Sequence, residues 1–291
     1  MRIRRLIQKK TKKFFIRKLR NNFSTLFQSF NLSDRRYCDI PYVKLKFFKS
    51  SSLANAGEII YLKIDGQILP KIIETGKFDE FIFKFLKKKL KKKSLFIDVG
   101  SNHGFISKQI ANIKNIKKII VFEPVTEIFN LSKMNLNKIS NVQYNNYGWA
   151  KKVGKFFFYQ NLSNSGDYSL IKSKQRQIKH IYKFKKANKE LTKIINVNKN
   201  LNLILKTDCQ GYDIEIFCDL SIDNLRKINM YFLECREVSE KNKINFYNKV
   251  KLFKKIFVSC PLIHKDTREI SIEKIKEYFN YKVELDLILI N

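Results

Sequence analysis

Glycine, proline and acidic residues are scarce in this sequence. Its 291 residues hold nine glycines, four prolines and 26 acids, against 59 lysines and arginines. No Gly- or Pro-rich linker, low-complexity stretch or internal repeat breaks the chain, so one large α/β domain with an appended segment is the expected organisation. The five cysteines, Cys38, Cys209, Cys218, Cys235 and Cys260, are odd in number and scattered, with no C-x-x-C pair. That excludes a disulfide framework and a cysteine zinc site, and it fits reduced thiols in the cytoplasm. No uninterrupted apolar run approaches the ~18 to 20 residues that cross a bilayer. The basic start, "MRIRRLIQKKTKKFFIRKLRNNF", carries Lys and Arg wherever a signal peptide would need its apolar stretch. A soluble, cytoplasmic protein is expected. No three-ligand metal spacing occurs; Asp208 with Glu234 is a pair able to hold a divalent ion, but no resident metal is expected.

What is abundant is lysine, at 48 of the 59 basic residues, giving a formal net charge of +33. Lysine lacks the planar fork with which arginine reads phosphates and bases. A diffuse lysine excess beside many Ile and Asn reads as compositional bias, and nucleic acid is not the expected partner. Residues 1–33 hold ten basic residues and no acid, while Phe15, Leu19, Phe23, Leu26, Phe27 and Phe30 recur at three and four. This spacing predicts a basic amphipathic helix, docked on the domain or lying peripherally on the inner membrane surface.

Residues 34–93 form a lead-in. Two β-type runs, "YVKLKFF" and "IIYLKI", predict antiparallel strands, with "KSSSLANAGE" between them and the turn dipeptide Asp65-Gly66 after them. "GKFDEFIFKFLKKKLKKK" places Phe78, Phe81, Ile82, Phe85 and Leu86 on one helical face. Over 94–291 strands and helices alternate: "SLFIDV", "FISKQIANI", "KKIIVFEP", "TEIFNLSKMNLNKI" and "NVQYNN", then "NLILKTD", "YDIEIFCDL", "INMYFLE", "KINFYNKVKLF" and "YKVELDLILI". That order predicts an α/β, doubly wound, mainly parallel sheet. Between the halves, "KKVGKFFFYQ" reads as a hairpin-like patch and "QNLSNSGDYSLIKSKQRQIKH" as a flexible loop.

In open parallel sheets, ligands bind beyond the carboxyl ends of the strands. The first strand runs into "FIDVGSNHGF", where Asp98, Gly100 and Gly104 make D-x-G-x-x-x-G. A dinucleotide fingerprint starting at Gly100 would need glycine at 102 and glycine or alanine at 105, where Asn102 and Phe105 stand. An NAD(P)-dependent oxidoreductase is therefore the lesser alternative. A carboxylate at the mouth of the turn repels pyrophosphate but attracts a cationic amino-acid portion of a cofactor. The second strand ends in Glu123, 25 residues after Asp98, near the spacing at which such folds set a carboxylate on ribose hydroxyls. The combination predicts an adenosine-type cofactor.

With "FIDVGSNHG", "VFEP", "LILKTDCQGYDIEIF" and "YFLE" in that order, the chain resembles class I S-adenosylmethionine-dependent methyltransferases and, among them, the FkbM family. The most family-specific element is K-x-D-x-x-G-x-[DE], here Lys206 to Asp213, and "NSGDYSL" is similar to the family's G-x-x-S loop. The resemblance centres on 94–240. It implies a Rossmann-like, seven-stranded sheet closed by an antiparallel last strand, with S-adenosyl-L-methionine as cofactor. It also implies O-methylation of a hydroxyl on a saccharide or other small metabolite. By the same resemblance Asp98, Gly100, Ser101, Asn102 and Gly104 form the methionine-side loop, Glu123 holds the ribose, and Asn146 or Gly148 borders the adenine. Ser101 and His103 depart from the family's usual alanine and aliphatic residue.

Methyl transfer to oxygen needs an in-line approach, a dry site and a destination for the hydroxyl proton. Asp208, at the end of the fourth strand, is the candidate to orient or deprotonate the acceptor. Lys206 points to the same side of that strand and either anchors an anionic acceptor or pairs with Asp208 or Asp213. His103 is an alternative base or a plain helix-start residue. Glu234 contacts the acceptor or caps the following helix. A non-catalytic protein that binds membrane surfaces or polyanions through residues 1–30 is the competing reading from another class.

Overall fold

The computed structural model describes residues 27–32, 42–235, 238–259, 267–281 and 284–291. Strands β1 (Phe27–Leu32), β2 (Tyr42–Phe47) and β3 (Ile59–Lys63) form an antiparallel sheet in sequence order. The helix expected over 1–33 falls outside the described residues up to residue 26. Its last part, Phe27–Leu32, is a strand instead, paired along β2. The three-and-four spacing is overridden there because the open edge of β2 needs backbone partners. Helix α1 (Ile68–Thr75), which sequence periodicity did not reveal, tolerates Pro70 in its first turn, where no intrahelical N–H bond is lost. Asp65 starts it, accepting from the backbone N–H of Gln67 and Leu69 at 3.1 and 3.0 Å. Helix α2 (Glu80–Lys89) follows as expected and buries Ile82, Phe85 and Leu86.

The large sheet begins with β4 (Ser94–Val99), α3 (Phe105–Ile110), β5 (Ile116–Phe122), α4 (Thr126–Leu136) and β6 (Val142–Asn145). A second small sheet then intervenes, made of β7 (Gly148–Ala150), β8 (Gly154–Gln160), β9 (Tyr168–Ser169) and β10 (Ile178–Lys186) in the order β7-β10-β8-β9. The hairpin-like patch is thus one strand, β8, whose antiparallel partner β10 lies beyond the loop. After α5 (Ala187–Val197) come β11 (Asn202–Thr207), α6 (Asp213–Asp219), α7 (Ile222–Lys227), β12 (Ile228–Cys235) and α8 (Glu240–Val250). The chain ends with β13 (Lys255–Ser259), β14 (Arg268–Glu269), α9 (Ile272–Asn280) and β15 (Leu285–Ile290).

Strand order is β14-β13-β15-β12-β11-β4-β5-β6. β6, β5, β4, β11 and β12 run parallel, and β15 lies antiparallel between β12 and β13. The fold is Rossmann-like and doubly wound, its order reversing between β4 and β11. Among the described residues the sheet has eight strands where seven were expected, because the two-residue β14 adds itself to the edge strand β13.

Every β4 residue is buried, since helices cover both faces. Leu95, Ile97 and Val99 join Leu205, Leu233 and Leu287 against α5, α6 and α8. Their alternates Phe96, Ile204, Phe232 and Ile288 pack beneath Ile82 and Phe85 of α2 and Ile106 of α3. The lead-in is tied to this core: Asn135 of α4 exchanges two 2.7 Å hydrogen bonds with the Tyr61 backbone.

Candidate active site

The carboxyl ends of β4, β5, β11 and β12 open into one cavity of about 410 Å³. Its lining includes Gly100, Ser101, Asn102, His103, Glu123, Gly148, Lys206, Asp208 and Glu234, so most of the residues singled out by sequence share one space. Asp98, Gly104 and Asn146 are not among the lining residues. Asp98 is wholly buried, accepting from Ser107 Oγ at 2.7 Å and from Lys206 Nζ at 2.9 Å. Its charge is spent inside the protein. Asn146 Nδ2 donates to the Glu123 and Pro124 carbonyls at 2.9 and 3.3 Å, so it braces the loop after β5 and leaves Gly148 on the wall.

The turn after β4 owes its shape to two left-handed glycines. Gly100 has φ 77°, and a Cβ there would come within 2.0 Å of the Asp208 carbonyl oxygen. Gly104 also has φ 77° and leaves room for Ser132 and Leu136 of α4. Both glycines therefore serve close packing of the chain on itself. Asn102 adopts φ 51°, donates through Nδ2 to the Ser165 carbonyl at 2.7 Å, and gives its backbone N–H to Glu123 at 3.0 Å.

Glu123 is held between two backbone N–H groups, those of Asn102 and Val125, each at 3.0 Å. Burial outweighs these bonds and pushes its pKa up to about 7. Around it, polar atoms lack partners: Ser101 Oγ, His103 Nδ1 and Trp149 Nε1 are buried with no hydrogen bond among the described residues. All three residues line the cavity.

His103 is placed differently from a base. Its Nε2 accepts the Lys63 N–H at 3.0 Å, its ring stacks on Phe105, and burial followed by the Lys63 charge lowers its pKa to about 3. A nitrogen already accepting a backbone N–H, on a ring held neutral, is not free to take a proton. Lys206 pairs with Asp98 and, at 3.5 Å, with Asp208. Burial works against its charge, but Asp98 and Asp208 outweigh it and raise the pKa. Of the two roles open from sequence, the ion pair is the one formed, with Asp98 joining the expected Asp208. Asp213 accepts from the backbone N–H of Cys209 and Gly211 and shapes the turn after β11.

Gln210, with φ 54°, was not singled out by sequence. Its Nε2 donates to Asp208 Oδ1 at 2.7 Å and reaches Glu234 Oε1 at 3.3 Å, holding the two carboxylates side by side. The expected flexible loop is anchored: Ser165 bonds through N and Oγ to Asp65, Arg176 pairs with Asp167 at 2.6 Å, and Ser169 Oγ donates to the Cys209 carbonyl at 3.2 Å. Asn164, Gly166, Tyr168 and Leu170 of that loop thereby close one side of the cavity. Among the described residues no group of three or more His, Cys, Asp or Glu is placed to hold a metal ion, and no described helix is long and apolar enough to cross a membrane.

No family model matches the chain, and no curated protein matches it. Among solved structures, a Streptococcus mutans protein in complex with SAH is 15% identical, with 74% of this chain and 100% of that one covered at a TM-score of 0.39. A precorrin-6y C5,15-methyltransferase from Geobacter metallireducens is 10% identical over 75% of this chain and 93% of its own, at 0.37. A SAM-dependent O-methyltransferase from Thermotoga maritima is 12% identical over 84% and 76%, at 0.35. The ligands and activities in those names belong to those proteins.

Proposed function

We propose that this chain is an S-adenosylmethionine-dependent methyltransferase of FkbM-like type, delivering a methyl group to a hydroxyl of a saccharide or other small acceptor. The observation that carries the reading is Glu123, fixed by two backbone N–H groups at the end of the second parallel strand and facing a cavity whose neighbouring hydroxyl, Ser101 Oγ, has no partner. The residues present fit the cofactor. The oxygens of Glu123 keep lone pairs for two ribose hydroxyls, and Ser101 supplies a further polar contact. Trp149, Phe158, Tyr168 and Leu170 offer an apolar, aromatic wall suited to a purine. The volume lies within the ~300 to 1,000 Å³ usual for small-molecule sites.

When bound, the cofactor supplies a methyl group already activated on a sulfonium, so the chain's own task is positioning and proton handling. Asp208 lies on the cavity wall with Oδ1 held by Gln210 and Oδ2 beside the Lys206 ammonium. It orients the acceptor hydroxyl and receives its proton, while Gln210 and Lys206 hold it in place. A positioned base contributes about 10²- to 10⁴-fold. Incubation with labelled methyl donor and a panel of hydroxylated acceptors tests this: transfer is expected for one class, reduced about 10²-fold or more in Asp208→Asn, and transfer unaltered in that variant would remove Asp208 from the role.

A further inference from the structure

The small sheet β7-β10-β8-β9 has two faces of different character. Strand alternation turns Phe158 of β8 and Phe184 of β10 inward, where both are buried and line the cavity. The outer face is set by three directly opposed pairs: Lys155 with Lys183, Phe157 with Ile181, and Tyr159 with Lys179. All but Tyr159 are exposed, Phe157 at 49% and Ile181 at 57%. Val153, just before β8, is exposed at 69%. An aromatic and a branched side chain thus stand together in solvent on a flat strand pair.

The charge around them is of one sign. Lys155 opposite Lys183 sets like charges across the ladder, which works against the sheet. Neither of these two lysines nor Lys179 pairs with a carboxylate among the described residues, and Lys179 Nζ lies 4.5 Å from the centre of the Phe157 ring. Residues 151–186 hold nine lysines and Arg176 against one acid, Asp167, which Arg176 already pairs. The rest of the chain sets 59 − 10 = 49 basic residues against 26 − 1 = 25 acids. The excess on this segment is therefore well above the general bias of the sequence.

Lysines along an open strand keep it from pairing with another chain, but that role has no use for Phe157 and Ile181. An apolar pair framed by lysines suits a partner that is negative at its surface and apolar beneath it. Lysine is a compact point charge without arginine's fork, and so fits a diffuse negative surface better than phosphates read one by one. Charge also rules against two other occupants. Residues 1–26 carry ten basic residues and no acid, and a second copy meeting this face with its own would bring the same lysines.

We propose that the outer face of β8 and β10 docks on an anionic lipid bilayer, with Phe157 and Ile181 entering the interface and Lys155, Lys179 and Lys183 meeting the lipid headgroups. This contact is separate from residues 1–30 and does not depend on the reaction in the cavity. It leaves a single sheet layer between the headgroups and the cavity wall that Phe158 and Phe184 form.

The test is co-sedimentation of the full chain with vesicles of phosphatidylcholine alone and of phosphatidylcholine mixed with phosphatidylglycerol, at about 0.1 M salt. The mixed vesicles are expected to bind at least about tenfold more tightly. Lys155→Gln, Lys179→Gln, Lys183→Gln together are expected to weaken that binding about 10²-fold, or about fivefold for each lysine. Phe157→Thr with Ile181→Thr, a change that keeps strand propensity, is expected to weaken it about tenfold. Circular dichroism melting of both variants, expected to match the parent, separates loss of docking from loss of fold. No binding to the mixed vesicles, equal binding to both kinds, or parent affinity in both variants would overturn the proposal. Loss in the lysine variant alone would also overturn it, since the face would then be a polyanion surface.

Discussion

Lys206 Nζ lies 2.9 Å from the Asp98 carboxylate, at the point where β11 and β4 run side by side, and both side chains are almost wholly shielded from solvent. The pair locks the two central strands together directly behind the cavity. Removing one partner leaves the other as an uncompensated buried charge, at a cost of ~3–5 kcal/mol. Lys206→Met is therefore expected to lower the urea midpoint strongly. Lys206→Met combined with Asp98→Asn is expected to recover a large part of that loss, both read by circular dichroism.

Glu123 should make cofactor binding depend on pH. Its pKa in the folded chain, about 7, stands above the ordinary 4.5. The fold favours the protonated carboxyl; this contribution to stability is full below pH 4.5 and is lost as pH rises through about 7. A ligand that donates hydroxyl hydrogens favours the carboxylate instead. SAH affinity is accordingly expected to rise as pH goes from 4.5 to about 7 and then to level off, and calorimetry across that range should show a flat profile in Glu123→Gln.

The His103 ring, with its pKa lowered to about 3, does not titrate near neutrality. His103→Leu is expected to cost ~1–3 kcal/mol of stability, because the Lys63 N–H loses its acceptor. The shape of the pH–rate profile between pH 6 and pH 8 is expected to be the same as in the parent chain, and loss of a limb from that profile would restore His103 as a proton carrier.

Gly100→Ala meets two obstacles, a left-handed φ of 77° and a Cβ placed 2.0 Å from the Asp208 carbonyl oxygen. We expect a loss above ~2 kcal/mol in thermal unfolding and, because relief requires moving Asp208, a loss of turnover that persists well below the melting temperature.

The doubly wound core was legible because its strands and helices are read from local patterning, as in "SLFIDV" and "TEIFNLSKMNLNKI". Glu123 and Asp208 could be placed on the cavity because strand ends in such a sheet converge. Pairing across the chain was not legible. The β4–β11 register sets Asp98 beside Lys206, which turned an expected cofactor ligand into a buried counter-ion. The same holds for β8 and β10, whose contact spans an irregular loop, and for Asp65, which ties the lead-in to Ser165 a hundred residues away. Periodicity misled at Phe27–Leu32, where apolar spacing suited a helix but the β2 edge offered a ladder. Gln210 carried a weak signal: it stands inside the K-x-D-x-x-G element, between two residues already chosen.

Calorimetric titration of the full chain with SAH, alongside its Glu123→Ala variant, tests the central claim most directly. A single saturable site in the parent, with affinity falling about 10²-fold or more in the variant, a loss of ~2.7 kcal/mol or greater, is the predicted result. No binding by the parent, or equal affinity in the two proteins, would contradict it.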